Sequence, residues 1–180
     1  MKYLLTAILI IGLLTPYSAN AKDLGWTVGT DGIISFPMSE WADKSNTAFG
    51  ALVTFEKNLD QRLLMTARVG YIFSLKLERG NMERSTTHFP LMAGVKHKVV
   101  PDYYLAGELG FLRNYYKSEE SALGFSTINS HAEYVMGMSL GGGYLYRNWD
   151  FRFQWFFPDL ADLGEMHSLM FSVGRQFTSF

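Results

Sequence analysis

The chain has 180 residues, a length that suits one domain. Lys and Arg number 16 against 17 Asp and Glu, so no charge excess points to nucleic acid as a partner. Cys is absent, which excludes disulfides, thiolate zinc sites, thiol catalysis and a Cys-linked lipid anchor.

Residues 1–21 read as a cleavable secretory signal. Lys2 supplies the positive end, residues 4–14 the apolar stretch, Pro16 the break, and Ala19-Asn20-Ala21 the small-x-small cleavage pattern. The apolar stretch is too short for a spanning helix, which needs roughly 20 apolar residues. The expected mature domain is 22–180, with no further periplasmic domain attached.

From residue 22 onward the dominant period is two, the period of a strand whose side chains alternate between faces. Eight segments carry it: 24–36, 47–57, 62–77, 88–99, 103–116, 133–146, 149–157 and 167–177. In the first, Trp26, Val28 and Ile34 oppose Thr27, Gly29 and Asp31. The second sets Phe49, Val53 and Phe55 against Gly50, Thr54 and Glu56, and the third sets Met65, Val69, Tyr71 and Phe73 against Thr66, Arg68 and Lys76. The fourth opposes Phe89, Leu91 and Val95 to Gly94, Lys96 and Lys98. The fifth opposes Leu105, Leu109 and Phe111 to Glu108 and Asn114, and the sixth Tyr134, Met136 and Leu140 to Glu133, Ser139 and Gly141. The seventh is clearest: Trp149, Phe151, Phe153 and Trp155 alternate with Asp150, Arg152 and Gln154. In the eighth, Leu169, Phe171, Val173 and Phe177 share one face.

One face is therefore large and apolar, and the other is small or singly charged. A soluble barrel would place its large apolar residues inside. Lipid contact demands the reverse, with the apolar band outside and the polar residues within. A sheet in lipid must also close on itself, because a free edge leaves backbone groups unsatisfied. The expected fold is all-β, an eight-stranded antiparallel up-and-down transmembrane β-barrel. The connections agree. Those around residues 58–61, 100–102 and 147–148 are tight, while 37–46, 78–87, 117–132 and 158–166 are longer and polar. This alternation matches short periplasmic turns and long extracellular loops, with both termini periplasmic.

The chain resembles the small eight-stranded outer-membrane barrels, the group containing the OmpA, OmpX and OmpW types. Pro90-Leu91-Met92-Ala93-Gly94-Val95-Lys96 is similar to the Pro-Leu-x-x-Gly-Val-Lys strand of such barrels. Residues 169–177 resemble the C-terminal strand read by the barrel assembly machinery, with Leu169, Phe171, Val173 and Phe177 as its apolar positions. The terminal Phe180 is out of register with them. Either the signal ends at Phe177 and residues 178–180 overhang, the preferred reading, or a bulge near Gln176 returns Phe180 to the outer face. The resemblance implies outer-membrane lipid, lipopolysaccharide and the assembly machinery as partners.

The lumen of an eight-stranded barrel is filled by side chains. Asp31, Arg68, Lys96, Glu108, Glu133, Asp150 and Arg152 are the expected charge network there, with Glu56, Lys76 and Lys98 on the same face. Buried charges must pair, so a plugged polar lumen is expected. The outward aromatics Trp149, Phe151, Phe153 and Trp155 are expected to meet lipid. His88, His131 and His167 fall near the outer ends, close in sequence to Ser130, Ser168, Glu133 and Glu165. Adjacent Ser130-His131 and His167-Ser168 point to opposite faces, so neither pair forms a base and nucleophile within its strand. The three His sit in separate loops, which argues against a metal site. The expected function is structural or surface-interaction work through the extracellular loops, without catalysis or cofactor. Trp41, Met82 and Phe125 are apolar loop residues open to an unidentified ligand. The alternatives are a lipid A-modifying hydrolase or acyltransferase, and a narrow carrier for small apolar molecules.

Overall fold

The computed structural model describes residues 25–80, 82–122 and 125–179. The expected signal segment 1–21 and Phe180 lie outside them. The strands are β1 (Trp26–Met38), β2 (Ala48–Asn58), β3 (Leu63–Ser74), β4 (Leu77–Arg79), β5 (Met82–Val100), β6 (Tyr103–Ala122), β7 (Phe125–Tyr146), β8 (Trp149–Phe157) and β9 (His167–Ser179). One helical turn, α1 (Trp41–Lys44), interrupts the β1–β2 connection.

Every pairing is antiparallel. Apart from β3 and β4, neighbours in sequence pair along the sheet, β1 pairs β9, and β3 pairs β5. Those last two ladders join the ends of the sheet into a ring of eight. The short β4 pairs only with β5 and prolongs β3 past a break at Leu75 and Lys76. The β3–β5 ladder is interrupted opposite Pro90, between the pairs Val69↔Leu91 and Ile72↔His88, where proline has no N–H to donate.

The two faces separate as the period-two pattern requires. On β8, Trp149, Phe151, Phe153 and Trp155 are each at least 40% exposed, while Asp150, Arg152, Gln154 and Phe156 are at most 4%. The same division runs around the ring, so the outer surface is a band of Phe, Tyr, Leu, Val and Met.

Three features depart from the sequence reading. First, much of two long connections is strand. The β6–β7 ladder continues from Tyr116↔His131 to the pair Ala122↔Phe125, and β5 pairs β6 as far as Met82↔Glu120. Residues 82–87, 117–122 and 125–132 are thus paired strand rather than loop, since Thr86, Thr87, Thr127 and Ile128 suit a strand and their backbone groups find partners.

Second, residues 178 and 179 do not overhang. They pair with Val28 and Thr27, and the register shifts between Val28 and Gly29, whose partners are Thr178 and Gln176. Phe177 is the extra residue of a β-bulge, which lets the backbone beyond it stay in the ladder.

Third, the lumen is only half polar. The half away from the chain termini, termed the outer half, is filled by Ile33, Leu52, Ile72, Met92, Leu112, Phe156 and Met170 in one buried cluster. Each lies inward because its parity matches the inward charged residues of its own strand, or for Met170 that of Ser168 and Ser172.

Candidate functional site

The inner half of the lumen holds a continuous ionic network. Glu108 on β6 is its centre. It accepts from Arg68 Nη1 at 3.0 Å, Arg152 Nη1 at 2.9 Å and Ser139 Oγ at 2.9 Å. Arg68 Nη1 also donates to Gln154 Oε1 at 2.9 Å, and Gln154 Nε2 donates to Ser139 Oγ at 3.1 Å. Arg68 Nη2 lies 2.9 Å from Asp31 Oδ2, a charge contact without hydrogen-bond alignment, and Thr54 donates to the same oxygen at 3.0 Å.

A second cluster adjoins it. Lys96 pairs with Glu56 and lies 2.5 Å from Asp150 Oδ2. Arg152 Nη2 reaches Asp150 at 3.1 Å, while its Nε donates to the Tyr104 hydroxyl at 3.0 Å. Tyr104 in turn donates to Asp150, and Gln176 Nε2 donates to Glu56 at 3.0 Å. Three cations thus meet four carboxylates, and Thr54, Ser139, Tyr104 and Gln176 supply neutral donors. Charges so deeply buried are tolerable only when paired and hydrogen-bonded.

Glycine makes the room. A Cβ at Gly94 would come within 2.1 Å of the Gly107 carbonyl oxygen and 2.8 Å of Glu108 Cγ. A Cβ at Gly174 would strike Asp31 Oδ1 at 2.1 Å.

The structure brings Asp31, Arg68, Lys96, Glu108, Asp150 and Arg152 together in this network, with Glu56. It does not bring Glu133, which pairs across with Asn114 beyond the apolar cluster. Lys76 stands past the end of β3 and meets Glu83 at 2.5 Å in solvent. Inward parity alone does not place a charge in the network, because strand height decides the half. Tyr104, Gln154 and Ser139 were missed as members, although each alternates in phase with a charged neighbour.

Above the apolar cluster the inner face forms tiers across β5, β6 and β7. His88, Asn114 and Glu133 make one tier; Thr86, Tyr116 and His131 the next; Arg84, Ser118 and Asn129 a third, with Met82, Glu120 and Thr127 in register beyond it. Buried His88 shares a 2.7 Å hydrogen bond with Asn114, and its ring lies between Trp41 of α1 and Phe156. His131 stacks on Tyr116 at 4.8 Å. His167 lies against Phe157 at 6.1 Å. In these contacts the His rings meet an amide or other rings, not a Ser.

A closed antiparallel ring of eight strands, apolar outside and charged within, is the architecture of the small outer-membrane β-barrels, and the chain has that fold. No protein-family model matches it, and no curated protein sequence matches it. Among solved structures it is similar to Ail, the attachment invasion locus protein of Yersinia pestis. The TM-score is 0.60 at 12% identity, covering 87% of this chain and 100% of Ail. Ail is also known in complex with the heparin analogue sucrose octasulfate. Neisserial surface protein A gives a TM-score of 0.52 at 13% identity, over 84% of this chain and 95% of that one. The N-terminal barrel domain of Pseudomonas aeruginosa OprF gives 0.52 at 9% identity, over 84% and 97%.

Proposed function

We propose that the chain is an integral outer-membrane barrel with periplasmic termini and a plugged lumen, acting through its extracellular hairpins as a surface-interaction protein without catalysis. The observation that carries this reading is the layered lumen. An ionic network fills the inner half, an apolar cluster the outer half, and Trp41 and His88 lie above it. A plug of this kind leaves the extended hairpins as the working surface. The outer band of aromatic and aliphatic residues supports lipid as the surrounding medium. Lipopolysaccharide would then flank the outer rim, and the barrel assembly machinery would read Leu169, Phe171, Val173, Phe177 and Phe180. Surface roles in the printed names of Ail and Neisserial surface protein A agree with this reading.

Three measurements test it. Outer-membrane fractions should contain a protein that migrates differently boiled and unboiled on a detergent gel. In planar bilayers the folded protein should show no steady conductance; a stable open channel would overturn the plug. Lipid A from cells with and without the protein should have the same mass spectrum, and an altered acylation pattern would replace this reading with the enzymatic one.

A further inference from the structure

A cavity of about 290 Å³ sits at the outer mouth, between α1 and the inner face of the extended β5–β7 sheet. The charged side chains that face it are cationic, Lys44 and Arg84; Lys117 meets the wall from a strand on which Tyr116 and Ser118 take the inner face, and its ammonium lies against Glu119 on the other side. Lys44 has an exposed carboxylate neighbour outside the cavity, Glu165 at 3.1 Å. A solvent-exposed pair of this kind holds weakly, so the Lys44 ammonium can turn to a ligand.

Three rings share the cavity with the cations. Trp41 is buried and lies above His88, while Tyr116 and His131 form a stacked pair on the wall. Ser118 and Asn129, cross-strand neighbours in the tier of Arg84, add a hydroxyl and an amide. Aromatic faces accept the C–H face of a sugar ring. An amide and a hydroxyl serve sugar hydroxyls, and clustered cations bind phosphate, sulfate or carboxylate through charge-assisted hydrogen bonds. The volume is at the lower end for small-molecule sites, which fits a mono- or disaccharide and not a peptide or an acyl chain.

We propose that this mouth pocket binds a saccharide carrying an anionic substituent. The proposal rests on the reading of the hairpins as extracellular. The ligand chemistry has two sources there: phosphorylated sugars of lipopolysaccharide in the same membrane, or a soluble acidic saccharide from outside.

The test uses the folded protein in detergent micelles, with its heat-dependent gel mobility checked first. The Trp41 indole N–H signal, assigned with Trp41→Phe, is followed during titration with glucose 6-phosphate, glucose and inorganic phosphate. Glucose 6-phosphate should give a saturable shift, on the order of tenfold tighter than either glucose or phosphate. The double variant Lys44→Gln/Arg84→Gln, which alters only outer-mouth groups, should weaken it by a similar factor while keeping the gel shift. No saturable shift, equal binding of inorganic phosphate, or an unaffected double variant overturns the proposal. A barrel that keeps its gel shift but binds no sugar phosphate loses this proposal alone; a protein without the gel shift loses the parent reading as well. In nanodiscs, a sugar phosphate excluded by core-bearing lipopolysaccharide but not by core-free lipid A supports the membrane source. Binding in both kinds of disc supports the soluble source.

Discussion

Arg152 Nη1 lies 2.9 Å from Glu108 Oε1, joining β8 to β6 across the lumen with β7 between them. The same carboxylate receives Arg68 from β3. One side chain therefore ties three strands that are not neighbours in the ring, which sheet hydrogen bonds alone cannot do.

Glu108→Gln keeps the shape and removes the charge shared by two buried guanidinium groups. Breaking a buried pair from one side is expected to cost about 3 kcal/mol or more. Lys44→Gln breaks only the solvent-exposed pair with Glu165 and should cost about 1 kcal/mol or less. Urea unfolding in lipid vesicles measures both. Equal losses would remove the network from any account of stability.

The outer band can be probed by depth. Phe153 lies mid-strand on β8, and Trp149 begins the strand beside the tight turn at residues 147–148. In a bilayer, Phe153→Lys should destabilise by about 2–4 kcal/mol and Trp149→Lys by about 1 kcal/mol or less. Folding into vesicles at a series of urea concentrations gives the two values. A larger penalty at residue 149 would show that the membrane does not sit where the band implies.

The bulge at Phe177 makes a direct spectroscopic prediction. Val28 and Thr178 are cross-strand partners beyond it. Their backbones should give a nuclear Overhauser contact in detergent micelles, while Gly29 should give one to Gln176. A terminus that overhangs after Phe177 would show the second contact without the first.

Outside the barrel wall, the hydrogen bond from Glu83 and then its charge raise the pKa of Lys76 above the ordinary 10.5. A lysine whose folded pKa is raised contributes stability below its unfolded value and loses it as pH climbs through the folded one. The Lys76–Glu83 tie should therefore persist at neutral pH and weaken only above pH 10.5. In Glu83→Gln the Lys76 titration midpoint, followed by side-chain carbon shifts, should fall. An unchanged midpoint would refute the pairing in solution.

Much of the barrel was legible in the chain. Period two assigned the faces of all eight strands, and β8 shows why it works: no residue of Trp149-Asp150-Phe151-Arg152 is neutral about which side it takes. Tight connections at residues 101–102 and 147–148 were equally plain, since Pro101 and Asn148 cannot continue a strand readily. The candidate site was less legible. Polar residues at 117–132 look like a loop, yet they pair across and raise an inner wall that carries Tyr116, Ser118, Asn129 and His131. Such pairing depends on the partner strand being present.

Alternation of side chains is a property of one strand, so the sequence by itself determined the strand count, the apolar outer face and the inward charges. Height within the lumen is a property of the whole ring. It depends on how each ladder is registered against the next, and residues as distant as Arg68 and Glu108 meet only when that stagger is set. Tertiary structure alone therefore divided the lumen into ionic and apolar halves, left Glu133 out of the network, brought Tyr104 into it, and set Trp41 against the mouth of the barrel.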